Sequence, residues 1–311
     1  MSKGTSLQGR VLSELINRFT ADHLLGRKIR TGELRKKMTE PAWSVPDIFR
    51  FTHIDMGDFS MKLLERKENP KPRQAILQLH GGGYMAGVRN AYYVMAGLYN
   101  EVSGGAAVLT PDYRVAPEHP YPAALQDALA AYQWLLDQNY FGEEIILAGD
   151  SAGGGLAMAL TMYLKEHNLP MPGGIVAMSP WTDLTASGES YTSNFEKDPL
   201  FGNTRESMIY LNDYPGNHDP MDPYISPLFG DFRGFPPMLI QVGGNEMLLS
   251  DSVGVAAKAR EQGVKLRISI YEGMFHDFQL AYLSIPESKQ AWEEVRRFFT
   301  ALQQQSSTLS I

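Results

Sequence analysis

The stretch Ile145-Ile146-Leu147-Ala148-Gly149-Asp150-Ser151-Ala152-Gly153 decides the reading of the fold. Its four apolar residues, closed by a glycine, fit a strand buried on both faces, as in a parallel sheet. A helix is expected directly after it, over about 152–167. Between the two, residues 149–153 spell G-x-S-x-G, the pattern of a serine on a sharp strand-to-helix turn. Such a turn projects the hydroxyl out of the sheet. Flanking glycines remove side chains that would block it. The N-terminus of the helix behind offers free N–H groups and the positive end of a dipole. Ser151 is therefore a candidate nucleophile; the plainer alternative is a glycine-rich turn with a capping serine.

Outward from this stretch, strands are expected over 48–56 and 60–67, around the turn Gly57-Asp58, and over 73–80, 106–110, 174–179, 237–243 and 265–272. Helices are expected over 8–26, with Val11, Leu12, Leu15, Ile16 and Phe19 on one face, and over 122–138, 250–262 and 286–303. An early meander followed by alternating strands and helices implies an α/β protein. Its sheet would be mostly parallel, with helices on both faces. Residues 183–235 break the rhythm: they are polar, rich in Pro, Gly and Asn, with one helical stretch expected near 204–210. About fifty residues is too long for a connecting loop, so this segment reads as an insertion over one end of the sheet.

Three further groups carry chemistry. His80-Gly81-Gly82-Gly83-Tyr84 follows the 73–80 strand, and its glycines let backbone N–H groups point into a cavity, which suits an oxyanion hole. A rival reading takes Gly81-x-Gly83-x-x-Ala86, with Asp112 after the next strand, as a dinucleotide fingerprint. That reading leaves Ser151 and the late His276 unexplained. His276 lies on a loop after the last strand, at the sheet edge where sites are built. An acid between serine and histidine completes the order. Glu246 follows the 237–243 strand closely and is favoured; Asp251, which reads as a helix-opening residue, is the competitor. His23, His53 and His167 read as surface or packing residues, and His218, beside Asp222, as a loop residue rather than a metal ligand.

Composition narrows the classes. The 311 residues contain no cysteine, which excludes a disulfide scaffold, thiolate metal sites and a cysteine nucleophile. With 28 Lys and Arg against 35 Asp and Glu, the net charge of −7 argues against nucleic acid as a partner. No apolar run approaches the roughly 18 residues of a membrane span, and the first ten residues lack the apolar core of a signal peptide. A soluble cytoplasmic protein with no membrane partner is the expectation.

Taken together, the motifs resemble the hormone-sensitive-lipase-like family of α/β-hydrolases, in its branch of small bacterial carboxylesterases. The matching runs are 80–84, Asp112-Tyr113-Arg114-Val115-Ala116-Pro117-Glu118-His119-Pro120-Tyr121-Pro122-Ala123, 149–154, Ser179-Pro180-Trp181-Thr182-Asp183, 244–252 and 273–278, in family order. The resemblance implies an eight-stranded, mostly parallel sheet with a mainly helical cap. Its divisions would be N-terminal cap helices over 1–46, a catalytic core over 47–182 and 236–311, and a cap insertion over 183–235. It implies a triad of Ser151, Glu246 and His276, with oxyanion donors from the N–H groups of Gly82, Gly83 and Ala152. Many relatives carry aspartate where Glu246 stands, which keeps Asp251 in contention. The implied reaction is serine esterase chemistry on small, short-acyl esters, needing no metal and no cofactor. A deacetylase, a lactonase, an amidase or a non-catalytic binder on the same scaffold are the alternatives. Tyr84 and Trp181 are expected to line a pocket walled by Phe195, Leu200, Phe201, Met208, Ile209, Tyr210 and Tyr214 of the cap; the plainer alternative is that Trp181 belongs to the core. The resemblance also implies a homodimer joined through the edge strand 265–272.

Overall fold

The computed structural model describes residues 4–20, 44–69 and 72–308. Eight strands form one sheet: β1 (Phe49–Asp55), β2 (Ser60–Arg66), β3 (Ala75–Leu79), β4 (Ala107–Asp112), β5 (Ile145–Asp150), β6 (Gly174–Met178), β7 (Met238–Gly243) and β8 (Leu266–Tyr271). The order is β1-β2-β4-β3-β5-β6-β7-β8. β1 and β2 pair antiparallel, as do β2 and β4; every pair from β4 to β8 is parallel. The expected strands all form, with ends within about two residues, the usual scatter of such boundaries.

Strand alternation sorts the core onto two faces. Ile145 and Leu147 of β5 join one cluster, Ile146 and Ala148 the other. The first face carries α3 (Ala123–Asp137), α4 (Ser151–Glu166) and α6 (Leu249–Glu261). The second carries α2 (Asn90–Val102) and the long α7 (Pro286–Thr308), through Tyr92, Met95, Tyr99, Trp292, Val295 and Phe299. The α2 helix carries no sequence expectation of its own range. Three of its first five residues, Tyr92, Tyr93 and Val94, are tyrosine or valine, and such residues favour strands as much as helices.

The N-terminal α1 (Leu7–Thr20) lies against the loop after β8, with Leu12 and Ile16 packed on Met274, Phe275 and Phe278. Glu287 of α7 fixes its start, accepting from the Ser6 N–H and hydroxyl. The rest of the expected 8–26 helix, with His23, lies outside the described residues.

Residues 183–235 cover the carboxyl ends of the strands, but they do so with turns. Their one α-helix is the four-residue α5 (Ser190–Ser193), and residues 204–210, expected to be helical, form turns and bends. So this part of the cap is not mainly helical. Side chains capture its backbone N–H groups locally: Thr204 takes that of Glu206 and Asp198 those of Leu200 and Phe201. Such bonds compete with the helical ladder.

Candidate active site

β5 ends at Asp150, and Ser151 opens α4 with φ +51°, a left-handed backbone that L side chains adopt at a cost. The turn closes because Gly153 has no side chain: a methyl there would strike the Leu79 carbonyl of β3. Trp181 donates its N–H to the Ser151 carbonyl at 2.9 Å, holding the turn from β6's side.

His276 follows β8 and reaches the same point. Its Nε2 lies 2.9 Å from Ser151 Oγ, and its Nδ1 lies 2.9 Å from Glu246 Oε2. Ser151 and His276 are each 4% exposed and Glu246 is fully buried. Glu246 is itself fixed: its Oε1 accepts from Ser179 Oγ at 2.6 Å and from the Gly243 N–H. Burial raises the Glu246 carboxyl above its ordinary range, against the bonds from His276, Ser179 and Gly243. For His276, burial disfavours the imidazolium, but Asp277 and Glu246 outweigh it and hold the ring well above its ordinary value.

Asp251, the competing acid, is engaged elsewhere. Its Oδ2 accepts the N–H groups of Thr182 and Asp183 at 2.7 and 2.8 Å, and its Oδ1 the Tyr191 hydroxyl at 2.9 Å. Burial, with Asp183 nearby, pushes its carboxyl up to about 8.

The 80–84 loop packs against the serine turn, since a methyl on Gly81 would lie 3.1 Å from Ser151 Cβ. Gly82 has φ +115°, open to glycine and strained for other residues. Among the described residues no backbone acceptor takes the N–H of Gly82, Gly83 or Ala152. The cap reaches this loop through Asn212, whose Nδ2 donates to the Gly83 carbonyl at 2.8 Å, and through Met208, which lies on Gly83. Asp112, the rival reading's ribose acid, instead takes the Val88 N–H with Oδ1. The fingerprint thus serves the serine turn rather than a phosphate cradle.

Tyr84 and Trp181 do not line an open pocket. Each is 1% exposed; Tyr84 stacks on Tyr214 with centroids 3.8 Å apart, and Trp181 leans against Tyr84. Among the described residues, Phe201, 4.8 Å from the His276 ring, is an aromatic side chain over the site. His218 sits on an exposed loop against Tyr121. Sequence reasoning misses Ser179, Asp198 and Asp277. Ser179 lies inside a quoted run, Ser179-Pro180-Trp181, and its position just past a strand end is the available signal. Asp277 lies inside the quoted run 273–278 as the neighbour of a histidine, and Asp198 offers only a turn-forming Asp-Pro.

A family profile described by the alpha/beta hydrolase fold matches residues 76–280. The chain is 39% identical to an esterase of Acinetobacter venetianus over 242 residues, covering 76% of this chain and 78% of that protein. It is 36% identical to an acetyl-hydrolase of Streptomyces hygroscopicus over 225 residues, covering 72% and 75%. Among solved structures it is similar to an esterase from the bacterial hormone-sensitive lipase family, with TM-score 0.81, 32% identity and coverage of 96% and 98%.

Proposed function

Because the chain belongs to the α/β-hydrolase family, as a carboxylic-ester hydrolase of its hormone-sensitive-lipase-like branch, we propose that Ser151, His276 and Glu246 carry out the hydrolysis through an acyl-enzyme on small, short-acyl esters. The observation that carries this reading is the continuous relay Ser151 Oγ–His276 Nε2 and His276 Nδ1–Glu246, each step 2.9 Å. Glu246 accepts a hydrogen bond from the Nδ1–H, which keeps the proton on Nδ1 and leaves Nε2 as the free base. His276 takes the Ser151 proton as Oγ bonds to the ester carbonyl carbon. The carbonyl oxygen becomes an oxyanion, received by the N–H groups of Gly82, Gly83 and Ala152; losing one such donor costs about 3 kcal/mol of the barrier. The C–O bond to the alcohol then breaks, and the alcohol leaves with the proton from His276. Water, deprotonated by the same imidazole, attacks the acyl carbon; the acid leaves and Ser151 regains its proton.

The short-acyl preference rests on how closed the site is. Phe201 on His276, Met208 on Gly83 and the 4% exposure of Ser151 leave little room for a long chain. The acetyl-hydrolase similarity favours a small acyl group in the same direction. The test is a series of p-nitrophenyl esters from acetate to palmitate, with Ser151→Ala beside the wild type. Rates should peak at short chains and vanish in the variant. Faster turnover of palmitate would overturn the chain-length reading, and an active Ser151→Ala would overturn the triad.

A further inference from the structure

His276 is followed by an acid that the relay above does not use. Asp277 has φ +54°, a left-handed backbone, and its N–H donates to Ser179 Oγ at 3.2 Å. That conformation brings its Oδ2 to 3.1 Å from His276 Nε2, the nitrogen that also faces Ser151. Its Oδ1 is buried with no hydrogen-bond partner among the described residues. We propose that Asp277 is a positioning residue that stabilises the imidazolium of His276 and thereby sets the acid limb of the enzyme's pH–rate profile. The proposal rests on the triad reading of Ser151, His276 and Glu246.

The effect is electrostatic. In the resting tautomer Nε2 presents a lone pair, which a carboxylate oxygen 3.1 Å away opposes. Once Nε2 carries a proton, the same oxygen attracts it strongly, in a site that excludes water. Imidazolium forms transiently at each proton transfer, so Asp277 assists the transition states. It also holds on to a proton in the free enzyme, and a protonated His276 cannot accept from Ser151. Both effects make the ring more basic, and the active base form then appears only at higher pH.

The other titratable groups facing His276 are acidic as well. Glu246, on the loop after β7, holds Nδ1. Asp198 of the cap and Asp150 at the end of β5 both feel the charge on the ring. The Tyr92 hydroxyl of α2 is tied to Asp150 at 2.9 Å. Of these acids Asp277 is the one in contact with Nε2, so its removal acts on the reacting nitrogen while the others stay in place.

The test compares kcat/KM against pH for the wild type, Asp277→Asn and Asp277→Glu on p-nitrophenyl acetate, with product separated by chromatography. Removing an adjacent opposite charge should move the acid limb of Asp277→Asn down by about one unit or more. The plateau kcat should fall more than KM changes. Asp277→Glu, which keeps the charge, should bring the limb back toward the wild type. An unmoved limb in an active Asp277→Asn overturns the proposal. If that variant turns over too slowly to measure, NMR titration of the His276 ring in Ser151→Ala, with and without Asp277→Asn, reads the same shift; coincident titrations overturn it. A Ser151→Ala protein that still hydrolyses ester removes the triad, and this proposal falls with it.

Discussion

Ser151 stands on a turn clamped between parallel strands and His276 on a loop after the edge strand β8, whereas residues 183–235 hang over them from three buried carboxylates. On the sheet side the backbone does the holding. Gly153 lies against the Leu79 carbonyl, and Trp181 N–H reaches the Ser151 carbonyl. On the cap side, side chains replace the ladder. Asp183 takes the N–H groups of Thr185 and Ser187, Asp198 those of Leu200, Phe201 and Met247, and Asp251 those of Thr182 and Asp183. The difference separates the acid proposed for the chemistry from the acids that hold the cap. Glu246 and Asp251 lie five positions apart and are both fully enclosed, yet one meets His276 and the other meets the cap.

Neutralising each acid in turn separates the two roles. Glu246→Gln should lower kcat by about four orders of magnitude while the protein stays folded, because the imidazole loses the partner that sets its tautomer. Asp251→Asn should leave kcat within about tenfold, since its contacts touch no reacting group. Steady-state kinetics on one short ester, with circular dichroism to confirm the fold, checks both. The reverse ranking would assign the triad to Asp251 and dissolve the distinction.

The same contrast explains what was legible in the sequence. The strand, turn and helix around Ser151 are written in a local pattern, an apolar run and two glycines, and that pattern alone carries the turn. His276 could be placed because a loop after the last strand lands at the same sheet edge as Ser151. Glu246 could only be favoured over Asp251, because the choice depends on which carboxylate the tertiary fold turns toward the ring. The cap resists reading for a related reason. Its conformation is set by bonds spanning 49 residues from Asp198 to Met247 and 68 from Asp183 to Asp251, and no local periodicity encodes them. Tyr84 is expected in the pocket, but its stacking on Tyr214 comes from a segment 130 positions away.

A middle-sized effect is expected at Asp198, where the two regions meet. Its Oδ2 accepts the Met247 N–H at 2.8 Å and its Oδ1 the N–H of Phe201, whose ring covers His276. Asp198→Ala leaves buried donors unsatisfied, at about 1–3 kcal/mol of stability. Phe201 loses its anchor, so KM should rise several-fold with kcat less affected. Thermal melts and Michaelis–Menten curves measure the two parts. A variant with wild-type melting and KM would mean that the cap holds its place without this carboxylate.

The smallest effect tests whether the architectural acids are charged at all. Burial pushes Asp251 up to about 8, with Asp183 adding to it. An unfolded aspartate ionises near pH ~4. Between those values the folded chain binds a proton that the unfolded chain has released, so the stabilising contribution is complete below about pH 4 and lost as pH rises through about 8. Asp251→Asn has no such proton to lose. Glu246 and Asp150, also raised by burial, contribute the same trend to both proteins and cancel in the comparison. The melting temperature of the wild type should therefore fall relative to Asp251→Asn between pH 5 and pH 8.5, by roughly a few degrees. Parallel curves would mean that the two N–H groups and the Tyr191 hydroxyl keep Asp251 ionised throughout, and the cap would then be held by a buried charge rather than by a neutral acid.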